Sequence, residues 1–188
     1  MTSSHTTGAS ARQELTPILK WVGGKRQLLD FIRPLIPEHT TYCEPFVGGG
    51  AVFFDLQPKK AVINDFNQEL INVYQTVKEQ PEELIELLLR HREQNSQEYF
   101  YQIRALDREP EKYEELTPAQ RAARIIYLNK TCYNGLFRVN SAGQFNAPWG
   151  RYKNPNIVPE DNIRAMSRYL NKSKTAIRCG DYREALKG

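Results

Sequence analysis

Glu44-Pro-Phe-Val-Gly-Gly-Gly and Asp65 are the residues whose types and spacing best fit a chemical task. A glycine-rich turn between a strand and a helix lets a ligand approach the backbone, and an acid at the end of the next strand can accept hydrogen bonds from hydroxyls such as those of a ribose. Their separation is near the roughly 20 residues expected of nucleotide-binding folds. Phe46, Val47, Gly48, Gly49, Gly50 and Asp65 are therefore candidate ligand-contacting residues. A tight turn with no ligand is the bland alternative.

The run lacks the third glycine position of the dinucleotide fingerprint, and no Lys-Ser/Thr follows as in a phosphate-binding loop. The pattern favours S-adenosylmethionine, which has no phosphates, over NAD or ATP. Upstream, Leu19-Lys-Trp-Val-Gly-Gly-Lys sets an aromatic and an ammonium beside two glycines. Trp21 and Lys25 join the candidates, although a core tryptophan and a surface charge would read the same way. Asp181 follows a third strand-like run and could face the adenine amino group of such a ligand, or simply cap a helix.

Charge marks a second constellation. The net charge is only +4, but no Asp or Glu occurs from Leu116 to Pro159, where Arg121, Arg124, Lys130, Arg138, Arg151 and Lys153 alternate with aromatics. One sign of charge with interleaved rings suits phosphates and bases; a solvated basic face is the alternative. Within it Leu136-Phe-Arg-Val-Asn and Gln144-Phe-Asn-Ala flank Ser141-Ala-Gly, which predicts a β-hairpin. Strand alternation would set Leu136, Arg138 and Asn140 on one face, with Phe137 and Val139 inward. A guanidinium there suits the O6/N7 edge of guanine, and Leu136 with Pro148 suits a thymine methyl. A phosphate contact is the simpler role for Arg138.

The elements that must hold these residues follow from periodicity. Leu28, Leu29, Ile32 and Leu35 predict a short helix ended by Pro37; Thr41 to Phe46 a strand; Ala51 to Leu56 a helix; Lys60 to Asp65 a buried strand. Helices are expected over Gln68 to Lys78, Pro81 to Arg92, Ser96 to Leu106 and, behind a Thr117/Gln120 capping box, to about Asn129. A helix near Glu160 to Leu170 and a strand over Thr175 to Cys179 complete the pattern. This is the opening of a parallel α/β sheet, interrupted by a mostly helical insert and then resumed.

Composition sets the outer limits. With 188 residues, 40% hydrophobic and 26% charged, the chain is an ordinary globular one. Its three cysteines, Cys43, Cys132 and Cys179, form no disulfide framework and no metal cluster, which fits a reducing cytoplasm and no bound metal. The polar start MTSSHTTGAS, with no basic n-region and no apolar core, is not expected to act as a signal peptide, and no apolar run nears the roughly 20 residues of a membrane span.

Taken together, Lys20-Trp-Val-Gly-Gly-Lys-Arg-Gln-Leu-Leu, Glu44-Pro-Phe-Val-Gly-Gly-Gly, Ile63-Asn-Asp-Phe-Asn, Tyr133-Asn-Gly-Leu-Phe-Arg-Val-Asn and Gln144-Phe-Asn-Ala-Pro-Trp-Gly-Arg-Tyr-Lys-Asn-Pro resemble the Dam-type, α-group DNA adenine-N6 methyltransferases. The likeness runs from about Pro17 to Gly188 and is greatest to GATC-modifying members of restriction systems. It implies a Rossmann-like, S-adenosylmethionine-dependent methyltransferase fold over residues 17–66 and 160–188. Residues 67–159 would form a DNA target-recognition insert and residues 1–16 a disordered tail. It further implies that Trp21, Lys25, Phe46 to Gly50, Asp65 and Asp181 line the cofactor site. Lys20, Asn134, Leu136, Arg138, Pro148 and Tyr152 would read or hold double-stranded DNA, with Tyr133 free to insert between bases. A restriction nuclease would be a genetic partner only.

One departure is expected to matter. The family grips a flipped adenine with Asp-Pro-Pro-Tyr, and no such motif occurs here; Asn154-Pro-Asn-Ile lacks the second proline and the aromatic. The resemblance therefore implies a fragment, inactive alone, whose missing C-terminal segment or a second chain would supply the catalytic motif. A non-catalytic DNA-binding or regulatory module, and a methyltransferase acting on RNA or protein, are the alternative functions.

Overall fold

The computed structural model describes residues 13–187. The tail expected over residues 1–16 lies outside the described residues as far as residue 12. Leu15 is buried, and Thr16 exchanges a pair of backbone-to-side-chain hydrogen bonds with Asn162, so residues 15 and 16 belong to the packed body.

Strands β1 (Tyr42–Glu44), β2 (Lys60–Asp65) and β3 (Lys174–Cys179) form a parallel sheet in the order β1-β2-β3. This bears out the parallel α/β opening. Parallel neighbours need crossovers. Helix α2 (Ala51–Leu56) supplies the first, burying Phe53 and Phe54, and a long helical excursion supplies the second. Asn64 in the central strand is buried, and its amide donates to the carbonyls of Pro45 and Gly180, so one side chain ties together the loops that leave β1 and β3.

The short helix expected after the first glycines is one α-helical turn, α1 (Leu29–Ile32), between two tighter 3-10 turns. Its apolar stripe is only partly buried: Leu28 is 52% and Leu35 80% exposed, while Leu29 and Ile32 are half-buried. No side-chain cap closes its start, and Pro34 removes a backbone donor just past its end, so the periodic pattern is not carried into a longer helix.

The excursion comprises α3 (Gln68–Glu79), α4 (Pro81–Glu93), α5 (Gln97–Ala105), α6 (Pro110–Glu114), α7 (Pro118–Thr131) and α8 (Glu160–Lys172). The capping box that the sequence predicts is formed at the start of α7. Thr117 Oγ1 accepts from the Gln120 amide while Gln120 Oε1 accepts from the Thr117 amide, and Ser96 caps α5. Helix α3 packs against both α7 and α8 and touches β3, and one hydrophobic core joins Ile63 of the sheet to Leu70, Ile126 and Leu170 of the helices. Helix α9 (Tyr182–Leu186) follows β3. No helix among the described residues is long and apolar enough to cross a membrane.

Candidate functional site

The glycine loop is shaped from below. Val47 donates to the carbonyl of Asn64, and Asp65 accepts from the Gly48 amide at 3.0 Å through Oδ2 and from the Asn67 amide at 3.0 Å through Oδ1. Asp65 therefore both fixes the loop and keeps carboxylate lone pairs for a hydroxyl. The buried Tyr74 hydroxyl donates to the Gly48 carbonyl at 2.8 Å. Gly50 has φ +77°, and a Cβ there would lie 2.6 Å from Tyr74 Oη and 2.8 Å from Phe54 Cε2. Glycine is required here by both conformation and space.

Lys25 is no free surface charge. Its ammonium lies 3.0 Å from Glu44 Oε1 and donates to the Phe46 carbonyl at 3.0 Å, bracing the loop from above. Burial raises the pKa of Glu44, against which Lys25 and the hydroxyl of Tyr42, 2.9 Å from Oε2, stabilise the carboxylate. Trp21 is half-buried, not a core residue. Its indole stacks on Phe137 with centroids 4.6 Å apart, and a Cβ at Gly48 would lie 3.0 Å from its Cδ1.

These residues enclose a cavity of about 660 Å³. Trp21, Lys25, Phe46, Val47, Gly48, Gly49 and Asp65 line one part of its wall, while Lys20, Asn134 and Leu136 line another. Apolar, aromatic, backbone and carboxylate groups converge there beside the ammonium groups of Lys20 and Lys25, a lining with room and polar groups for a nucleoside-sized ligand. Gly50 lies behind the wall rather than in it. Asp181 is not among the lining residues: its carboxylate accepts from the Arg183 amide as the cap of α9 and pairs with the Arg183 guanidinium at 2.9 Å.

The expected hairpin is a looser loop. Its arms meet through one bridge, Val139 to Phe145, with the Asn140 amide donating to Gln144 O and the Asn146 amide to Arg138 O. Leu136, Arg138 and Asn140 are all exposed, and Phe137 packs inward, but Val139 is 41% exposed. The expectation for Val139 fails although its bridge partner Phe145 is buried: residues 140–143 beside it are exposed too, so the covered part of this face ends at Phe137 and Phe145. Asn140 serves the turn itself, accepting from the Ala142 and Gln144 amides. The return arm is anchored from the helices: Asp107 accepts from the Phe145 amide, and Arg108 and Arg104 donate to the carbonyls of Phe145 and Ala147.

Arg138 is pre-oriented. Its Nε donates to Asn146 Oδ1 at 2.7 Å and its Nη2 to the Asn146 carbonyl at 3.2 Å, which leaves Nη1 and the second Nη2 hydrogen for an outside acceptor pair. Tyr133, Pro148 and Tyr152 are exposed nearby, with the Tyr133 amide donating to the Pro148 carbonyl. Asn134 (φ 56°) and Arg151 (φ 54°) hold left-handed backbone in this region, a conformation few residues other than glycine and asparagine adopt readily.

The acid-free stretch does not present one basic face. Arg124 is 2% exposed, donating to the carbonyls of Ile103 and Arg104 and pairing with Asp107, and Arg121 pairs with Glu69. Burial and the neighbouring Lys20 lower the pKa of Lys130. Arg138, Arg151 and Lys153 remain exposed. Sequence reasoning missed Asn64, Tyr74, Asn129 and Asn146, because amides and hydroxyls that organise loops carry no spacing signal of their own.

A family model described as D12 class N6 adenine-specific DNA methyltransferase matches residues 21–188. Type II methyltransferase M1.LlaDCHI of Lactococcus lactis subsp. cremoris is 52% identical over 174 residues, 92% of this chain and 61% of its own length. Type II methyltransferase M.MjaIII of Methanocaldococcus jannaschii is 42% identical over 186 residues, 90% of this chain and 63% of its own length. DNA adenine methylase of Escherichia coli strain K12 is 41% identical over 147 residues, 77% of this chain and 51% of its own length. The chain thus spans between about half and three fifths of the length of these curated relatives. S-adenosylmethionine is the cofactor expected of the class, and the cavity's lining agrees with it. The chain belongs to the D12 class of N6 adenine-specific DNA methyltransferases.

Proposed function

We propose that this chain carries the cofactor-binding and target-reading parts of a DNA methyltransferase that modifies adenine N6 in a short palindrome, GATC. The observation that carries the reading is the shared wall of the cavity, where the glycine loop and Asp65 meet the Asn134–Leu136 turn of the exposed recognition loop. Asp65 would accept from the ribose hydroxyls, the glycine loop would admit the ligand to the backbone, and Trp21 with Phe46 would flank it. S-adenosylmethionine, when bound, supplies an electrophilic methyl group. Everything the chain itself does is placement and exclusion of water, the terms that dominate a displacement between two held reactants.

On the DNA side, Arg138 would read guanine, Leu136 and Pro148 a thymine methyl, Lys20 and Asn134 would hold the site, and Tyr133 would occupy the gap left by a flipped base. Residues 17–66 and 160–188 would form a Rossmann-like methyltransferase body, with 67–159 as the recognition insert. No Asp-Pro-Pro-Tyr occurs in the 188 residues, so nothing identified here grips the adenine amino group. The chain alone should transfer no methyl group, and supplying that motif in cis or in trans should restore transfer.

Titration calorimetry with S-adenosylmethionine tests the reading. The chain should bind it, and Asp65→Ala should weaken binding by about tenfold or more through loss of a charged acceptor and of the Gly48 anchor. Equal affinity in the variant would move the cofactor elsewhere.

A further inference from the structure

Asn129, in the last turn of α7, is 2% exposed and lies between the two halves of the site without lining the cavity. Its Oδ1 accepts from the Lys20 amide at 2.9 Å, while its Nδ2 donates to the Lys20 carbonyl at 2.9 Å and to the Gly135 carbonyl at 2.8 Å. Both amide hydrogens are therefore committed, one to the strap that leads into Trp21 and one to the turn that carries Asn134. The two segments touch as well: Gly135 has φ +65°, and a Cβ there would lie 2.6 Å from Lys20 Cδ.

A second link runs alongside. The Trp21 ring is held between the Gly48 backbone on the cavity side and Phe137 on the recognition side, and Phe137 in turn meets Phe145 edge-on at 5.7 Å. The Lys20–Trp21 strap is thus gripped by the cofactor loop at one side and by the reading loop at the other. A ligand that orders the strap orders the turn, because a buried amide with committed donors cannot follow one segment without releasing the other.

We propose that Asn129 is a positioning residue that couples occupancy of the cofactor cavity to base reading by the Tyr133–Arg138 segment. The proposal rests on the reading that the cavity takes S-adenosylmethionine and the loop takes DNA. Coupling between two such sites is a reciprocal free energy, commonly worth about 5- to 150-fold in affinity. Here it should favour the cognate duplex, since an unrelated duplex needs only the phosphate contacts.

The experiment is a binding cycle on the full chain with S-adenosylhomocysteine, which cannot react, and with a GATC duplex or an unrelated duplex of equal length. The ligand should tighten GATC binding about tenfold and leave the unrelated duplex within about twofold. Asn129→Ala should bring the GATC factor to near unity while its affinity for S-adenosylhomocysteine without DNA changes less than about threefold. Wild-type binding of both ligands with no coupling, or full coupling in Asn129→Ala, overturns the inference and leaves the functional reading standing. Failure to bind either ligand overturns the reading and the coupling with it. If Asn129→Ala does not fold, Phe137 decides. Phe137→Leu should cut the coupling and Phe137→Tyr should restore it; equal coupling in both variants overturns the proposal.

Discussion

Arg138 offers the sharpest test of recognition, because the structure constrains how it can act. Its Nε and one Nη2 hydrogen are held by Asn146, so an acceptor pair outside the protein can be met only end-on, through Nη1 and the remaining Nη2 hydrogen. That fork matches the O6/N7 edge of guanine, and losing it should cost about 1–3 kcal/mol at one base pair. Arg138→Ala should therefore lower affinity for a GATC duplex by about 5- to 150-fold while leaving a duplex already altered at that guanine nearly unchanged. Asn146→Ala keeps the arginine but frees a side chain whose rotamer entropy is about 2 kcal/mol. It should lose part of the same discrimination, about fivefold. Lys153→Ala supplies the contrast: an exposed ammonium meeting phosphate should weaken all duplexes alike and flatten the slope of log K against log salt by about 0.9. Competition anisotropy with GATC and singly substituted duplexes at two salt concentrations measures all three. A common factor across every duplex for Arg138→Ala would make it a phosphate contact and refute the assignment of the reading face.

Other outcomes are expected from the scaffold. Gly50→Ala combines left-handed strain with a collision against Tyr74 and Phe54, so urea unfolding should show a loss of about 2–4 kcal/mol, against about 1–2 kcal/mol for Gly143→Ala, where φ is +75° but the space is open. Burial lowers the pKa of His91 to about 4, where its ring stacks on Tyr127 and its Nδ1 lies 2.7 Å from the Tyr99 hydroxyl. The unfolded chain then binds a proton that the folded one refuses. Stability present above about pH 6.5 should fall by up to about 3 kcal/mol as pH drops toward 4, and His91→Phe should flatten that limb of the urea-midpoint profile. Asp107→Asn should loosen the recognition loop, seen as faster amide exchange at Phe145 and weaker GATC binding with unchanged cofactor affinity, because its carboxylate holds Arg124 and the Phe145 amide together.

The regular elements could be read from the chain because their signals are local. Period-two and period-3.6 apolar patterns, Thr117 with Gln120, and Pro118 at a helix start define α7 and β2 within a few residues of themselves. The glycine loop and Asp65 were legible for the same reason: a turn that needs glycine and an acid at a strand end are set by backbone geometry. What the chain could not disclose is which charges are spent internally. Arg121, Arg124 and Arg138 are the same residue type in one acid-free stretch. Yet Arg124 is buried against Asp107 and Arg121 is paired with Glu69, partners distant in sequence that only packing brings near. Arg138 stays outside, oriented by Asn146. The same holds for Asp181, which caps a surface helix and does not line the cavity, and for Asn129, which bonds Lys20, 109 residues away. Local sequence specifies backbone shape through short-range sterics and hydrogen bonding. Which side chains face a ligand depends on long-range contacts that exist only once the helices have closed over the sheet.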